Sequence, residues 1–411
     1  MNLQGSNLYR RRFFSLISVF GLAQFVIGFL SFFRIPQIIS NSSIEVTAAW
    51  FFYLGLMGWY PVYISSEINI SRSSTLSEIV PVKRFRSRMW NFIYLISISI
   101  SFAVTYLFPL DSSRTTHLIA SGVGPFALFL YVSREMSWSL GFQQGLERQN
   151  RLVAYSVLGA LVSFLSILLM VQTSYWDSRD NFYRFHFLQF VTILGVGMPT
   201  LISYTSARLN KIRPKKIASR NSIIETVAIF PPALVSGFDN LAIVLLLDSG
   251  ELIDYGIYSR FLILTSLVPS ALQVHFANKY SSGAAQESEK VILKQLFALN
   301  LPVIIILVVF ASKVVSFLYG ESTELNILAL VFVILIGGFY NFWILKYSEM
   351  LAKDKFRLVF GRIALFWILP LNILLLITCT LLFGFLGPFI SCFVTYLLAY
   401  AICNFVVRKF K

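Results

Sequence analysis

Asp239 and Arg260 are ionisable residues set inside long apolar runs, the first in IFPPALVSGFDNLAIVLLL and the second in YGIYSRFLILTSLVPSALQ. A charge at the centre of a bilayer costs about 2.5 to 3.5 kcal/mol even on the milder insertion scale, so each needs a partner or a task. The short DSGELID turn joins the two runs into a hairpin, which makes each residue the other's nearest candidate partner. Such a couple is either an ion pair that pins two helices or a cavity pair that opens when an anionic ligand competes for the arginine. Asp239 is also a candidate site for a coupling proton or sodium ion. Arg34, closing the first apolar run, is the counterpart in the first half of the chain. It reads either as a snorkelling interface residue or as an anion-binding fork, because a guanidinium donates two parallel hydrogen bonds to phosphate oxygens. Gln144 and Arg148, within the polar stretch Gln143 to Arg148, read as a solvated helix end or as contacts for sugar or phosphate at an inner mouth. His117, His186 and His275 share no spacing and no acidic cluster, so no metal site is expected.

These residues must be positioned by membrane-spanning helices. Hydrophobic residues make up 57% of the 411 and charged residues only 13%, too little polar sequence to cover a water-soluble domain of this length. A crossing helix needs roughly 20 apolar residues. The apolar runs predict twelve such helices, at 13–33, 46–65, 89–109, 116–133, 152–172, 184–206, 223–247, 252–274, 294–318, 326–345, 360–383 and 385–406. A strand barrel would instead show alternating segments of about ten residues. The fold class expected is therefore an all-α polytopic membrane protein of about 12 transmembrane helices.

Orientation follows from the cations of the short loops. With the N-terminus inside, most of the 34 Lys and Arg residues fall on the cytoplasmic side, including Arg10 to Arg12, Lys83 to Arg88 and Arg208 to Arg220. Only Arg34, Arg114, Arg179, Arg184 and Lys313 lie outside or at the outer edge, and Arg260 lies within a span. Both termini are expected in the cytoplasm. The net charge of +15 is then explained by insertion and by attraction to anionic membrane lipids, with no nucleic acid implied. The three cysteines, all in the last two runs, suit packing and form no disulfide or zinc pattern.

The basic loop around KIRPKK divides the chain into an N-terminal six-helix lobe (1–206), a cytoplasmic linker (207–222) and a C-terminal six-helix lobe (223–411). The lobes share weak internal symmetry. Pro61 and Pro269 stand at the same separation as Trp50 and Tyr258, and RLVAYSVLGALVSF from Arg151 parallels RLVFGRIALFWILP from Arg357. Six spans per half give both halves the same topology, as in transporters built from parallel repeats. Pro231 and Pro232, one to two turns before Asp239, mark the seventh helix as the one most prone to kink.

Two stretches carry a family resemblance: GFDNLAIVLLLDSGELIDYGIYSRFLILTSLVPSALQ from Gly237 and GFQQGLERQNRLVAYSVLGALVSF from Gly141. The chain resembles the polysaccharide (O-antigen or repeat-unit) flippases of the multidrug, oligosaccharidyl-lipid and polysaccharide exporter superfamily. The resemblance implies two lobes around a central cationic cavity in a bacterial cytoplasmic membrane. It also implies a lipid-linked oligosaccharide substrate, carried on undecaprenyl pyrophosphate and moved from the inner to the outer face, with a polysaccharide polymerase and a chain-length regulator as partners. Arg260, Asp239 and Arg34 are the cavity residues it points to. FRIPQIISNSSIEV departs from the Gly-Pro-rich turn usual after the family's first helix, which bears on the role of Arg34.

The alternative is ion-coupled efflux of drugs or organic cations by a related fold, which favours acidic and aromatic linings. A membrane polymerase or ligase needs polar residues gathered on a sizeable outer loop, and the longest here is about a dozen residues around TSYWDSRDNFYR. No phosphate-cradling Gly-Lys-Ser/Thr loop occurs, so direct use of ATP is not expected. Transport, not an enzymatic reaction, is the expected activity.

Overall fold

Long apolar runs in a solvent that offers no hydrogen bonds must satisfy their backbone internally, and helices are how this chain does so. A computed structural model describes residues 23, 26–57, 83–85, 95, 96, 99, 114–146, 148–212, 215–217, 239, 242, 243, 246, 247, 251, 254–266, 269, 289–319, 325–351 and 354–410. In the first half these form α1 (Val26–Asn41), α2 (Ile44–Met57), α3 (Thr115–Met136), α4 (Trp138–Gly145), α5 (Gln149–Val171) and α6 (Asn181–Leu209). In the second half they form α7 (254–266), α8 (Glu289–Tyr319), α9 (Ile327–Leu351), α10 (Asp354–Ile363), α11 (Leu369–Phe383) and α12 (Gly387–Phe410). Two three-residue strands, Lys83–Phe85 and Lys215–Ile217, pair in parallel. Among the described residues six helices are long and apolar enough to cross a membrane. The last of these, Val359–Lys409, spans 51 residues and turns back at Gly384–Leu386. Apart from the short strand pair, the fold described is a helical polytopic membrane architecture.

Several helices outrun their apolar cores. α1 continues through Arg34 to Asn41, beyond the predicted end at 33, because polar residues near a helix end are tolerated once their side chains find partners inside the protein. α9 likewise carries Lys346 and Glu349 inside the helix, where they form a buried i,i+3 ion pair at 3.5 Å. α9 therefore runs past the predicted end at 345, to Leu351. The predicted spans 89–109 and 223–247 lie largely outside the described residues, as do Pro231 and Pro232.

Packing is set by small residues and by aromatic rings. α5 lies along α6, and a Cβ at Gly195 would stand 2.7 Å from the Cβ of Ser163, so only glycine permits this approach. α12 packs on both α9 and α11, and Asn372 of α11 donates to Thr395 Oγ1 of α12 at 2.9 Å. Between α10 and α11 a wide π-turn, Ala364–Ile368, precedes Pro370. Proline lacks the donor a regular α-turn would require there, and the wider turn absorbs the change of register. One core of buried residues, including Trp50, Phe185, Phe261, Trp343 and Phe389, runs through helices of both halves. Large apolar side chains such as Leu169, Phe317 and Trp367 are exposed, as expected of a surface solvated by lipid.

Candidate functional site

The helix ends on one side of the molecule are tied together by side-chain bonds to open backbone groups. Trp176, fully buried in the turn between α5 and α6, donates from Nε1 to the carbonyl of Asn41 at 2.8 Å. That bond satisfies one of the carbonyls left open where α1 ends. Asp180 caps α6 by accepting from the Tyr183 backbone N–H at 2.9 Å. Arg184 donates to the carbonyls of Trp176 and Asp177. The loop TSYWDSRDNFYR is thus a structured lid over the end of α1.

Beneath this lid sits Arg34, about 10 Å in from the end of α1 at 1.5 Å per residue. It is 9% exposed. Its Nη1 donates to Ser163 Oγ of α5 at 2.8 Å, and its guanidinium lies over the ring of Trp50 of α2, 5.4 Å from the centroid. Trp50 is itself fixed, donating from Nε1 to Thr192 Oγ1 of α6 at 3.0 Å, while Thr192 donates to the Leu188 carbonyl at 2.8 Å. Arg34 is therefore a buried cation held by neutral partners and not a snorkelling interface residue. Its Nε has no hydrogen-bond partner among the described residues. Further bonds stitch the same bundle: Tyr53 to the Ile119 carbonyl at 2.6 Å and Gln189 to the Gly122 carbonyl at 2.8 Å. Ser121 Oγ meets His186 Nε2 at 3.1 Å, which gives that histidine a structural place.

α7 of the second half meets α1 and α2 at the same depth. Phe261 of α7 packs edge-on against Phe32 of α1 with centroids 5.5 Å apart. The fully buried ring of Phe51 of α2 rests on Gly256, where a Cβ would lie 2.5 Å from the nearest ring atom. This seam brings Arg260 close enough to Arg34 for their charges to repel. Arg260 also acts electrostatically on Tyr255. Tyr255 in turn donates its hydroxyl to Asp239 Oδ2 at 2.7 Å, while Oδ1 has no hydrogen-bond partner among the described residues. The hydrogen-bond partner of Asp239 is thus Tyr255 and not the Arg260 expected from the hairpin. Both facing residues come from one helix, and Tyr255 stands five positions before Arg260, so the two cannot share one orientation along α7.

The structure places Arg34 near Arg260 and pairs Asp239 with Tyr255, whose ring packs on Phe389 of α12. It leaves Gln144 and Arg148 apart, at the turn between α4 and α5, with Arg148 exposed. Along α5 that turn is roughly 20 Å from Ser163. Sequence reasoning missed the roles of Ser163, Trp50 and Tyr255. Tyr255 was visible as the first residue of YGIYS, whereas no pattern marked Ser163. Among the described residues no group of three His, Cys, Asp or Glu side chains suits a metal ion.

Removing the Tyr255 hydroxyl should expose how much Asp239 depends on it. Tyr255→Phe leaves a buried carboxylate without this donor and is expected to cost about 1 to 3 kcal/mol. Tyr255→Phe combined with Asp239→Leu should recover most of that loss, because an apolar pair strands no polar group. Melting of the purified protein in detergent checks this, and equal loss in the single and double variants would show that the bond contributes little.

This geometry is that of a helical polytopic membrane protein with a buried arginine, Arg34, near the seam between helices of its two halves. No protein-family model matches the chain, and no curated protein matches it. Solved structures do. The chain is similar to an outward-facing multidrug resistance MATE family transporter of the MOP superfamily, with TM-score 0.56, 12% identity and coverage of 96% of this chain and 95% of that one. It is similar to a MOP superfamily transporter from Pyrococcus furiosus, with TM-score 0.59, 12% identity and 95% of each chain covered. It is also similar to the lipid II flippase MurJ in an inward closed conformation, with TM-score 0.57, 14% identity and coverage of 95% and 87%. The chain has the fold of the MOP superfamily of membrane transporters.

Proposed function

We propose that this protein translocates a lipid-linked oligosaccharide, carried on a polyprenyl pyrophosphate such as undecaprenyl pyrophosphate, from the inner to the outer face of a bacterial cytoplasmic membrane. The observation that carries this reading is Arg34. A guanidinium keeps its proton, and the described partners of this one are a serine hydroxyl and an indole face, with no carboxylate to neutralise it. Arg260, on a helix of the other half, adds a second positive charge near it, so a ligand with several negative oxygens is attracted by both halves at once. In this reading residues 1–206 and 223–411 are lobes that rock about the linker 207–222, with both termini in the cytoplasm. Asp239, whose buried Oδ1 has no hydrogen-bond partner among the described residues, is the site at which a proton or sodium ion couples the cycle. Gln144 and Arg148 make first contact at the inner mouth. A polymerase and a chain-length regulator take the product on the outer face.

The test is reconstitution of the full chain in proteoliposomes with a fluorescent polyprenyl-pyrophosphate sugar, following protection of the label from a membrane-impermeant quencher. Accelerated translocation is expected, lost in Arg260→Ala and partly restored in Arg260→Lys, since a point charge replaces a bidentate fork. Uptake of an organic cation such as ethidium, with no movement of the pyrophosphate lipid, would assign the protein to drug efflux instead.

A further inference from the structure

A buried arginine usually meets a carboxylate, which holds it in place and cancels its charge. Arg34 is held differently. Ser163 Oγ accepts from Nη1 at 2.8 Å, and the Trp50 ring lies beneath the guanidinium. We propose that Trp50 and Ser163 are positioning residues that orient Arg34 as an anion receptor while leaving its charge available, an inference that rests on the pyrophosphate reading above. The indole supplies electrostatic attraction from its negative face, strongest for Trp among the aromatic residues and strengthened when water is excluded. Trp50 is fully buried, so that condition is met.

Neither residue is free to turn away. The Nε1 bond from Trp50 to Thr192 Oγ1 fixes the indole plane against α6, and the ring tilts against Phe51 at 5.3 Å between centroids. The close passage of α5 at Gly195 sets the position of Ser163. α2 and α5 thus supply the two contacts to the guanidinium of α1, and α6 holds both of those side chains in place. With Nη1 engaged and Nε without a hydrogen-bond partner, the Nε side of the fork is the edge left for a phosphate to accept from. A carboxylate at position 163 or 50 would hold the arginine as well but would compete with the ligand. A serine and an indole do not.

The test uses the purified full chain in detergent with farnesyl pyrophosphate as probe and farnesol as the control without a headgroup. Arg34→Gln is expected to weaken binding of farnesyl pyrophosphate strongly. Trp50→Leu should weaken it about tenfold and Trp50→Phe by less, because a benzene ring retains part of the attraction. Ser163→Ala should weaken it about threefold to tenfold by freeing the fork. Farnesol binding should change in none of these. The decisive readout is the double variant: if Trp50 works through Arg34, then Trp50→Leu adds nothing once Arg34→Gln is present. Additive losses, or Trp50→Leu and Ser163→Ala proteins that bind like the parent while Arg34→Gln does not, overturn the positioning role and leave the pyrophosphate reading standing. Unchanged binding in Arg34→Gln overturns that reading itself and the inference with it. Should Trp50→Leu not fold, Trp50→Phe and Ser163→Ala with their Arg34→Gln doubles decide by the same criterion.

Discussion

Arg34→Gln is expected to reduce translocation at least about a hundredfold while the protein inserts and accumulates normally. The amide can still donate to Ser163, but two charge-assisted hydrogen bonds to a phosphate are lost, each worth about 1.5 to 3 kcal/mol. Thermal stability should hold or rise, because the substitution removes a buried cation whose described partners are neutral. Measuring translocation in proteoliposomes beside melting in detergent separates the two effects. A variant that transports normally would remove Arg34 from the mechanism, and one that melts early and transports in proportion to its folded fraction would make Arg34 a structural residue.

A second large effect is expected at Gly256. The ring of Phe51 occupies the space a side chain would take there, with ring atoms 2.5, 2.7 and 2.9 Å from the Cβ position. Gly256→Ala must push α7 away from α2, an overpacking strain of about 1 to 3 kcal/mol. Because these helices belong to different halves of the chain, the strain acts on the closed seam and not within one bundle. Transport should fall about tenfold or more, and Phe51→Val in the same protein should restore it by vacating the space. Distances between spin labels on α2 and α7 give an independent reading: a longer distance in Gly256→Ala that shortens again in the double variant is expected. An unchanged distance would show that the seam is not under steric control.

Much of the architecture was legible in composition alone. Apolar length predicted the helices at 116–133, 152–172, 184–206, 294–318, 326–345, 360–383 and 385–406, and each has its described counterpart within a few residues at most ends. Bilayer thickness acts on every residue of a span, so a window of sequence carries that signal without knowledge of neighbours. Helix ends were less legible, because Arg34 and Lys346 look like loop residues until their partners Ser163 and Glu349 are in place. The presence of costly charges at Asp239, Arg260 and Arg34 was also determined by sequence, since charge inside an apolar run is a local fact.

Which charges meet was decided only by tertiary structure. Sequence proximity favoured Asp239 with Arg260, yet the hydroxyl of Tyr255 bonds Asp239, and the charge of Arg260 acts on Arg34 from more than half the chain away in sequence. Side-chain direction along a helix and the rotation of one helix against another set such pairings, and neither is encoded in hydropathy. The same holds for Trp50 and Ser163. An aromatic residue or a serine in a transmembrane run is ordinary in sequence, and their hold on Arg34 exists only because α2 and α5 meet α1 while α6 fixes both side chains.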